Sequence, residues 1–274
     1  VIAIYHAKKN KYNYKKENII IGPGSKELIY QLQLVLDSDL ILPSPSWVSY
    51  EPQAKILNKK IHWINCSDKN NWHLDPEDLN KKCKEIQKVN KLLILNSPNN
   101  PSGTTHNNLK EFAKVVIDNN IIVISDEIYA ELDFKGEYNS LTHFCPKNTI
   151  ISNGLSKWCG AGGWRIGYLV FPENLDYIND AIRSIASETY TSVSAPIQYA
   201  AIKAFTENHT KFLDNSRTIL KKIADYIHKE LSSVGIRCNF AQGGFYMLCD
   251  FSEVINKTNE ITDGKSLSNK ILKD

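Results

Sequence analysis

Short apolar runs alternate with amphipathic segments along most of the chain. Apolar residues recur at helical spacing over residues 26–36 and again over 109–118, and both segments are predicted to be helices. The runs between the helices are continuous, which is typical of strands buried on both faces of a parallel sheet. The pattern therefore predicts an α/β fold in which helices flank a mostly parallel central sheet. The predicted strands cover residues 19–21, 40–42, 92–95, 121–125, 149–151 and 167–171.

The pattern changes after about residue 205. A long amphipathic helix is predicted over residues 207–232, followed by strands near 236–240 and 245–251 that Gly243-Gly244 joins. We therefore expect a large domain over residues 1–205 and the beginning of a smaller α+β domain over 206–274. A complete second domain would need more residues than follow here, so we expect this sequence to be a fragment.

Composition and charge are those of an ordinary globular protein: 274 residues, 42% hydrophobic and 23% charged, with a net charge of +3. Solvated lysines explain the N-terminal basic residues better than a nucleic-acid surface does, so no nucleic-acid partner is expected. No apolar run approaches the roughly 20 residues that span a bilayer, and no membrane partner is expected. The basic residues concerned are lysines 8, 9, 11, 15 and 16.

The six cysteines form no CxxC pair, and the seven histidines show neither HxxxH nor HExxH spacing. Such spacings would indicate a disulfide framework or a zinc site. We therefore expect reduced thiols in a cytoplasmic enzyme, and no metal site.

Residues 152–168 carry a lysine and an arginine on either side of a glycine-rich turn, directly after a predicted strand. A charged lysine is costly to bury, so a site of this kind holds Lys157 as a neutral amine or an imine. The planar guanidinium of Arg165 suits a phosphate, because it makes paired hydrogen bonds. A Schiff-base amine beside a phosphate-binding arginine indicates pyridoxal phosphate. The rival interpretation is a hydrolytic Ser156–Lys157 pair, but no oxyanion motif accompanies it.

Polar residues follow two further predicted strands. Asp126 could bind a protonated pyridine nitrogen, while Tyr129 and Asn100 could donate to the phenolate oxygen of the same ring. Each also has a structural explanation: Asp126 as a helix N-cap, Tyr129 as a packing residue and Asn100 as part of an Asn-Pro turn.

Two more contacts fit the same cofactor. Ser25 and Lys26 begin a predicted helix, whose free backbone N–H groups could bind a phosphate, although Ser25 could equally be an N-cap. Trp47 lies in a proline-stiffened loop and could stack on a pyridine ring, or simply pack in the core. Ser156 could offer its hydroxyl to the phosphate. Together these residues supply every contact that one cofactor needs, which no single motif does.

With these residues in place, the sequence resembles the class I/II aminotransferases of the fold-type-I pyridoxal phosphate superfamily. The glycine-aromatic segment 243–246 is similar to a strand of the family's small domain. The other matching segments are residues 24–28, 45–50, 96–103, 126–129, 156–157 and 163–167.

The resemblance implies a role for each site residue. Lys157 would be the catalytic lysine, bonded to the cofactor aldehyde, and Asp126 would bind the pyridine nitrogen. Asn100 and Tyr129 would contact the phenolate oxygen, and Trp47 would stack on the ring. The phosphate would be held by Ser25, Lys26, Ser156 and Arg165.

The resemblance also implies an aminotransferase that acts on an L-amino acid, with aspartate a reasonable first substrate, and on a 2-oxo acid such as 2-oxoglutarate. A homodimer with active sites at the subunit interface is expected. Two features of the family are absent from this sequence: the N-terminal arm and the C-terminal arginine that grips the substrate carboxylate. Gly162-Gly163 stands where Thr-Gly is frequent. The alternatives are a C–S lyase or decarboxylase on the same scaffold, or the sensing domain of a transcription regulator.

Overall fold

The computed structural model describes residues 1–10, 12–255 and 261–273, so Lys11 of the N-terminal basic segment lies outside the described residues. A seven-stranded sheet forms the centre of the fold. Its strands are β1 (Ile19–Gly22), β2 (Asp39–Ser44), β3 (Ile61–Asn65), β4 (Lys91–Asn96), β5 (Ile121–Asp126), β6 (Thr149–Gly154) and β7 (Gly167–Val170).

The strand order is β1-β7-β6-β5-β4-β2-β3. Strand β7 runs antiparallel to both of its neighbours, β1 and β6. The pairs from β6 across to β3 are all parallel. The predicted mostly parallel sheet is therefore confirmed. In parallel sheets, ligands bind beyond the carboxyl ends of the strands.

Helices cover both faces of this sheet. Further helices follow the last strand of the sheet along the chain. The helices are α1 (Ile2–Asn10), α2 (Ser25–Val35), α3 (Tyr50–Ile56), α4 (Pro76–Glu85), α5 (Leu109–Asp118), α6 (Asp176–Thr189), α7 (Ala195–Thr206), α8 (Thr210–Ser233), α9 (Ser252–Ile255) and α10 (Gly264–Ile271). None of the helices in the described part of the chain is long and apolar enough to cross a membrane.

Two hydrophobic clusters sandwich the sheet, as strand β4 illustrates. Leu92 and Ile94 pack in the cluster that contains Leu28 of α2 and Ile182 of α6. Leu93 and Leu95 pack in the cluster of α4 and α5. Successive residues of a strand point to opposite faces, so a strand covered on both faces must be apolar throughout. This is why the buried strands could be recognised from continuous apolar runs.

Strand β3 was missed because it is the edge strand next to β2 and is only partly buried. Its sequence, Ile-His-Trp-Ile-Asn, contains no continuous apolar run. Helix α4 was missed for a similar reason, since only Leu79 and Cys83 of its ten residues are buried.

The two strands predicted after residue 235 are much shorter than expected. Strands β8 (Arg237–Cys238) and β9 (Cys249–Asp250) pair over only two residues each. Between them, the amides of Gln242 and Gly243 donate to the Gly103 carbonyl, and the Gly244 amide donates to Leu132. The backbone between the strands is therefore bonded to neighbouring loops, and this ends the β ladder. The predicted helix over 207–232 is confirmed as α8, shifted by a few residues.

Candidate active site

A cavity of about 410 Å³ lies at the carboxyl ends of the parallel strands. Loops that follow β2, β4, β5 and β6 contribute its walls, together with the first turn of α2. Its lining residues are Ser25, Lys26, Trp47, Tyr50, Asn96, Asn100, Asp126, Ile128, Tyr129, Ser156, Lys157, Gly162, Arg165 and Tyr246.

A second cavity, of about 490 Å³, lies against α1 and α7 and has mostly apolar walls. It is slightly larger, but the acids, amides and hydroxyls that could carry chemistry do not converge there. The 410 Å³ cavity is therefore the better candidate for an active site.

Asp126 is the buried acid of this cavity. Its side chain is 3% exposed at the end of β5. Oδ2 accepts a hydrogen bond of 2.6 Å from the Tyr50 hydroxyl, whereas Oδ1 has no hydrogen-bond partner among the described residues. Burial raises the pKa of Asp126 to about 6, although the Tyr50 hydrogen bond, the nearby Ile128 backbone amide and the charge of Lys157 lower it. A buried carboxylate oxygen without a partner is costly unless a ligand supplies a donor.

Asn96 ties the loops at two strand ends together. Strand register places Asn96 of β4 opposite Asp126 of β5. The side-chain amide of Asn96 donates to the Asp126 backbone carbonyl at 2.9 Å. The Oδ1 of Asn96 accepts from the backbone N–H of Asn100 at 2.7 Å. These bonds fix the position of the loop that carries Asn100 relative to Asp126. Asn96 was missed as a site residue, although its place at the end of an apolar run could have indicated it.

Two tyrosine hydroxyls meet at one wall of the cavity. Tyr129 is buried, and its hydroxyl donates a hydrogen bond to the Tyr246 hydroxyl at 3.4 Å. Burial raises the pKa of Tyr129 far above its usual range, the Tyr246 contact raises it further, and the Asn100 side chain lowers it. Asn100 and Tyr129 therefore lie within reach of one ligand atom. Tyr246 was identified only as part of the glycine-aromatic segment, not as a site residue.

The two lysines of the cavity lie against aromatic rings. The Lys157 Nζ lies 5.6 Å from the ring centres of both Tyr129 and Phe245. The Lys26 Nζ lies 5.0 Å from the Trp47 ring. Trp47 in turn contacts Tyr50 edge to face, with ring centres 5.3 Å apart. These contacts place both lysines against aromatic walls of the cavity.

One end of the cavity is built by close backbone approach. A Cβ on Gly167 of β7 would lie 2.3 Å from the Ser25 backbone nitrogen, so only glycine lets the first turn of α2 come this near. Gly24, just before α2, has a φ of +104°, which glycine adopts without strain. Ser25 and Lys26 at the start of α2 line the cavity, and the first N–H groups of a helix have no partner within the helix.

Arg165 lies beside this helix start. Its guanidinium donates to the Gly162 carbonyl at 2.7 Å and to the Pro23 carbonyl at 3.1 Å. The backbone of Arg165 is left-handed, with a φ of +53°. A helix N-terminus next to a guanidinium forms an anion site. Ser156, on the loop after β6, lines the same cavity.

The structure brings all nine sequence-predicted site residues to this one cavity. The additional lining residues are Tyr50, Asn96, Ile128, Gly162 and Tyr246. Among the residues that the structure describes, no cluster of three or more His, Cys, Asp or Glu side chains is placed to hold a metal ion.

Comparisons of the sequence and of the structure with known proteins both find aminotransferases. A model of the family "aminotransferase class I and II" matches residues 1–274. The chain is 35% identical to the aspartate aminotransferase of Bacillus sp. (strain YM-2), over 91% of this chain and 64% of that protein. It is 30% identical to the aspartate aminotransferase of Sulfolobus acidocaldarius, over all of this chain and 68% of that protein.

Among solved structures, the aspartate aminotransferase of Thermus thermophilus with maleate superposes with a TM-score of 0.86 at 28% sequence identity. The match covers 92% of this chain and 66% of that one. The chain thus spans a little under two thirds of the length of several relatives that it matches, 64% in the Bacillus sp. case. Within that span the family match covers both the sheet and the cavity, and residues 1–274 therefore belong to the class I and II aminotransferase family.

Proposed function

We propose that this chain acts as a pyridoxal phosphate-dependent aminotransferase, moving an amino group between an L-amino acid and a 2-oxo acid. Aspartate and 2-oxoglutarate are the proposed first pair, because several relatives are aspartate aminotransferases. The observation that carries the proposal is the unpartnered Oδ1 of Asp126 in a cavity that is also lined by Lys157, by the start of α2 and by Arg165.

The residues fit this cofactor at each of its polar groups. The unpartnered Asp126 oxygen would accept a hydrogen bond from the protonated ring nitrogen. The first turn of α2, with Ser25, Lys26, Ser156 and Arg165, would hold the phosphate. Asn100 and Tyr129 would bind the phenolate oxygen, and Trp47 would lie against the ring. Lys157 would bond to the aldehyde.

When bound, pyridoxal phosphate supplies a carbonyl for imine bonds and a ring that accepts an electron pair. Asp126 would keep a proton on the ring nitrogen, since its buried, unpartnered Oδ1 favours a cationic neighbour. With its amine released by an incoming amino group, Lys157 would act as the general base. Its Nζ would carry the proton from the substrate α-carbon to the aldehyde carbon of the cofactor.

The proposal extends to the surroundings of the site. The large domain is assigned to residues 1–205 and the smaller one to 206–274, and the functional unit is a homodimer in the cytoplasm.

Amino transfer is tested by incubating the protein with pyridoxal phosphate and L-aspartate, with and without 2-oxoglutarate. We expect sustained oxaloacetate formation only when the acceptor is present, with the parallel double-reciprocal lines of ping-pong kinetics. Lys157→Ala should abolish it. Sustained CO2 release from an amino acid without the acceptor would instead indicate a decarboxylase. Sustained 2-oxo acid formation from a sulfur-containing amino acid without the acceptor would indicate a C–S lyase.

A further inference from the structure

Two cysteines face each other across the small hairpin of β8 and β9. Cys238 lies opposite Cys249 in the strand register. Their sulfur atoms are 3.1 Å apart, with the Cys238 thiol donating to the Cys249 sulfur. Both side chains are half-buried. No other two cysteine sulfurs are in contact in the described part of the chain.

The strand register holds these sulfurs together. The Asn239 amide donates to the Leu248 carbonyl at 3.1 Å, so the neighbouring pair, Cys238 and Cys249, occupies a non-hydrogen-bonded position. In such pairs the α-carbons are about 4.5 Å apart, which lies within the range of disulfide-bonded cysteines. On the other side, the Arg237 guanidinium pairs with the Asp250 carboxylate. A disulfide here would need only small side-chain movements.

The hairpin also reaches the active-site cavity. Its loop is fixed to the large sheet's loops, since the Asn239 side chain donates to the Ser102 carbonyl at 2.6 Å and the Gly243 amide to Gly103 at 3.0 Å. Tyr246 of the same loop lines the cavity. A covalent bond at the base of the hairpin would therefore close a loop that carries part of the cavity wall, without using any cavity side chain.

We propose that Cys238 and Cys249 form a redox-active pair, which closes to a disulfide on reaction with a small disulfide such as oxidised glutathione. The Cys238 sulfur attacks as a thiolate and displaces one glutathione thiolate, forming a mixed disulfide. The Cys249 sulfur then attacks the Cys238 sulfur, and its proton leaves with the second glutathione. Two protein thiols are oxidised and one glutathione disulfide is reduced to two thiols. Excess reduced glutathione reverses both steps.

Burial, with the neighbouring Cys238 thiol, raises the pKa of Cys249 to about 12, so Cys249 must lose its proton as it attacks and this second step should be the slower one. Because reduced glutathione reverses both steps, the pair stays open in a reducing compartment and closes under oxidising conditions.

The test is peptide mapping of the native chain after incubation with oxidised glutathione and alkylation of the remaining thiols. Trypsin cleavage after Arg237 and Lys257 gives one peptide that contains both cysteines and no others. We expect this peptide to lose two hydrogens and to escape alkylation, while two of the six thiols disappear from a thiol titration. Reduced glutathione should restore all six.

Matched variants separate this pair from general oxidation. Cys238→Ser and Cys249→Ser should each abolish the internal disulfide, whereas Cys159→Ser, which changes another partly buried thiol, should leave it intact. Alkylation of both cysteines in the oxidised native protein would overturn the proposal, as would disulfides between other cysteines or between chains. Because the map of the native chain gives the result by itself, a variant that fails to fold does not decide the outcome.

Discussion

The Tyr50 hydroxyl donates to Oδ2 of Asp126 at 2.6 Å, and both side chains are almost fully buried. This bond leaves Oδ1 of the same carboxylate without a partner. It links the first residue of α3 to the last residue of β5, so the orientation of the acid is fixed by a residue of a different element. The bond also lowers the pKa of Asp126 against the larger effect of burial.

Tyr50→Phe removes this donor and should raise the pKa of Asp126 above its native value of about 6, because the hydrogen bond stabilises the ionised acid. Cofactor binding uses the ionised acid, so its weakening at low pH should begin roughly one to two pH units higher, as expected for the loss of about 1.5–3 kcal/mol. Titration of the dissociation constant for pyridoxal phosphate between about pH 5 and about pH 9 measures this change. Tyr190→Phe, which removes a hydroxyl bonded to Ile21 instead, is the matched control. An unchanged titration in Tyr50→Phe would refute the role assigned to this bond.

Asp126 should destabilise the cofactor-free protein at neutral pH. Its folded-state pKa of about 6 lies above the ordinary 3.8, so the folded state holds the proton more tightly than the unfolded state. Below about pH 4 the acid is protonated in both states and costs no stability. As the pH rises from about 4 through about 6, the free energy of unfolding falls. Two pKa units correspond to about 3 kcal/mol. Asp126→Asn should therefore increase the free energy of unfolding at pH 7 by up to about 3 kcal/mol, and by much less below pH 4.

Urea denaturation at several pH values measures this effect. Glu127→Gln is the control for cofactor binding, because burial also raises the pKa of Glu127, to about 7, but Glu127 does not line the cavity. Only Asp126→Asn should lose cofactor affinity. A gain in stability that is equal at pH 4 and pH 7 would show that the charge of Asp126 is not its cause.

Gly167→Ala should disturb the helix start that is proposed to bind the phosphate. The added Cβ would lie 2.3 Å from the Ser25 nitrogen and 2.6 Å from the Gly24 carbonyl carbon, so α2 must move. Overpacking of this kind costs about 1–3 kcal/mol. In Gly163→Ala, by contrast, the new Cβ would meet nothing within 4 Å. Thermal unfolding and pyridoxal phosphate titration of both variants should show losses in the first and little change in the second; equal behaviour would contradict the close approach.

Arg165→Ala should weaken cofactor binding by about 10- to 100-fold, because charge-assisted hydrogen bonds contribute about 1.5–3 kcal/mol. The free energy of unfolding of this variant should change little, since the Arg165 guanidinium is exposed. Arg183→Ala is the control, because Arg183 also donates to a backbone carbonyl, that of Glu17, but does not line the cavity. Comparable loss of affinity in both variants would remove Arg165 from the proposed phosphate site.

The sequence predicted the centre of the fold better than its margins, for a physical reason. Strands such as β4 are covered on both faces, so their apolar runs are continuous and easily recognised. Strand β3 lies at an edge and carries His62 and Trp63, and nothing in its local pattern separates it from a loop. The hairpin of β8 and β9 is short because its loop bonds to Gly103 and Leu132, partners distant in sequence that no local pattern reveals.

The candidate site follows the same rule. Lys157, Asp126 and Asn100 follow buried strands, and parallel strand ends meet at one edge, so their convergence could be expected. Tyr246 lies on a segment more than 100 residues away from Tyr129, and Asn96 differs from an ordinary strand-end asparagine only in its contacts with Asn100 and Asp126. Such residues become visible only when the loops are placed in three dimensions.

The central claim is that Lys157 is the amine that bonds to the cofactor. Borohydride reduction of the protein with pyridoxal phosphate fixes any lysine–cofactor bond, and peptide mapping then locates it. The account predicts one reduced adduct, on Lys157, absent in Lys157→Ala and retained in Lys26→Ala, the other lysine that lines the cavity. An adduct on Lys26 instead, or one spread over surface lysines at equal yield, would contradict it.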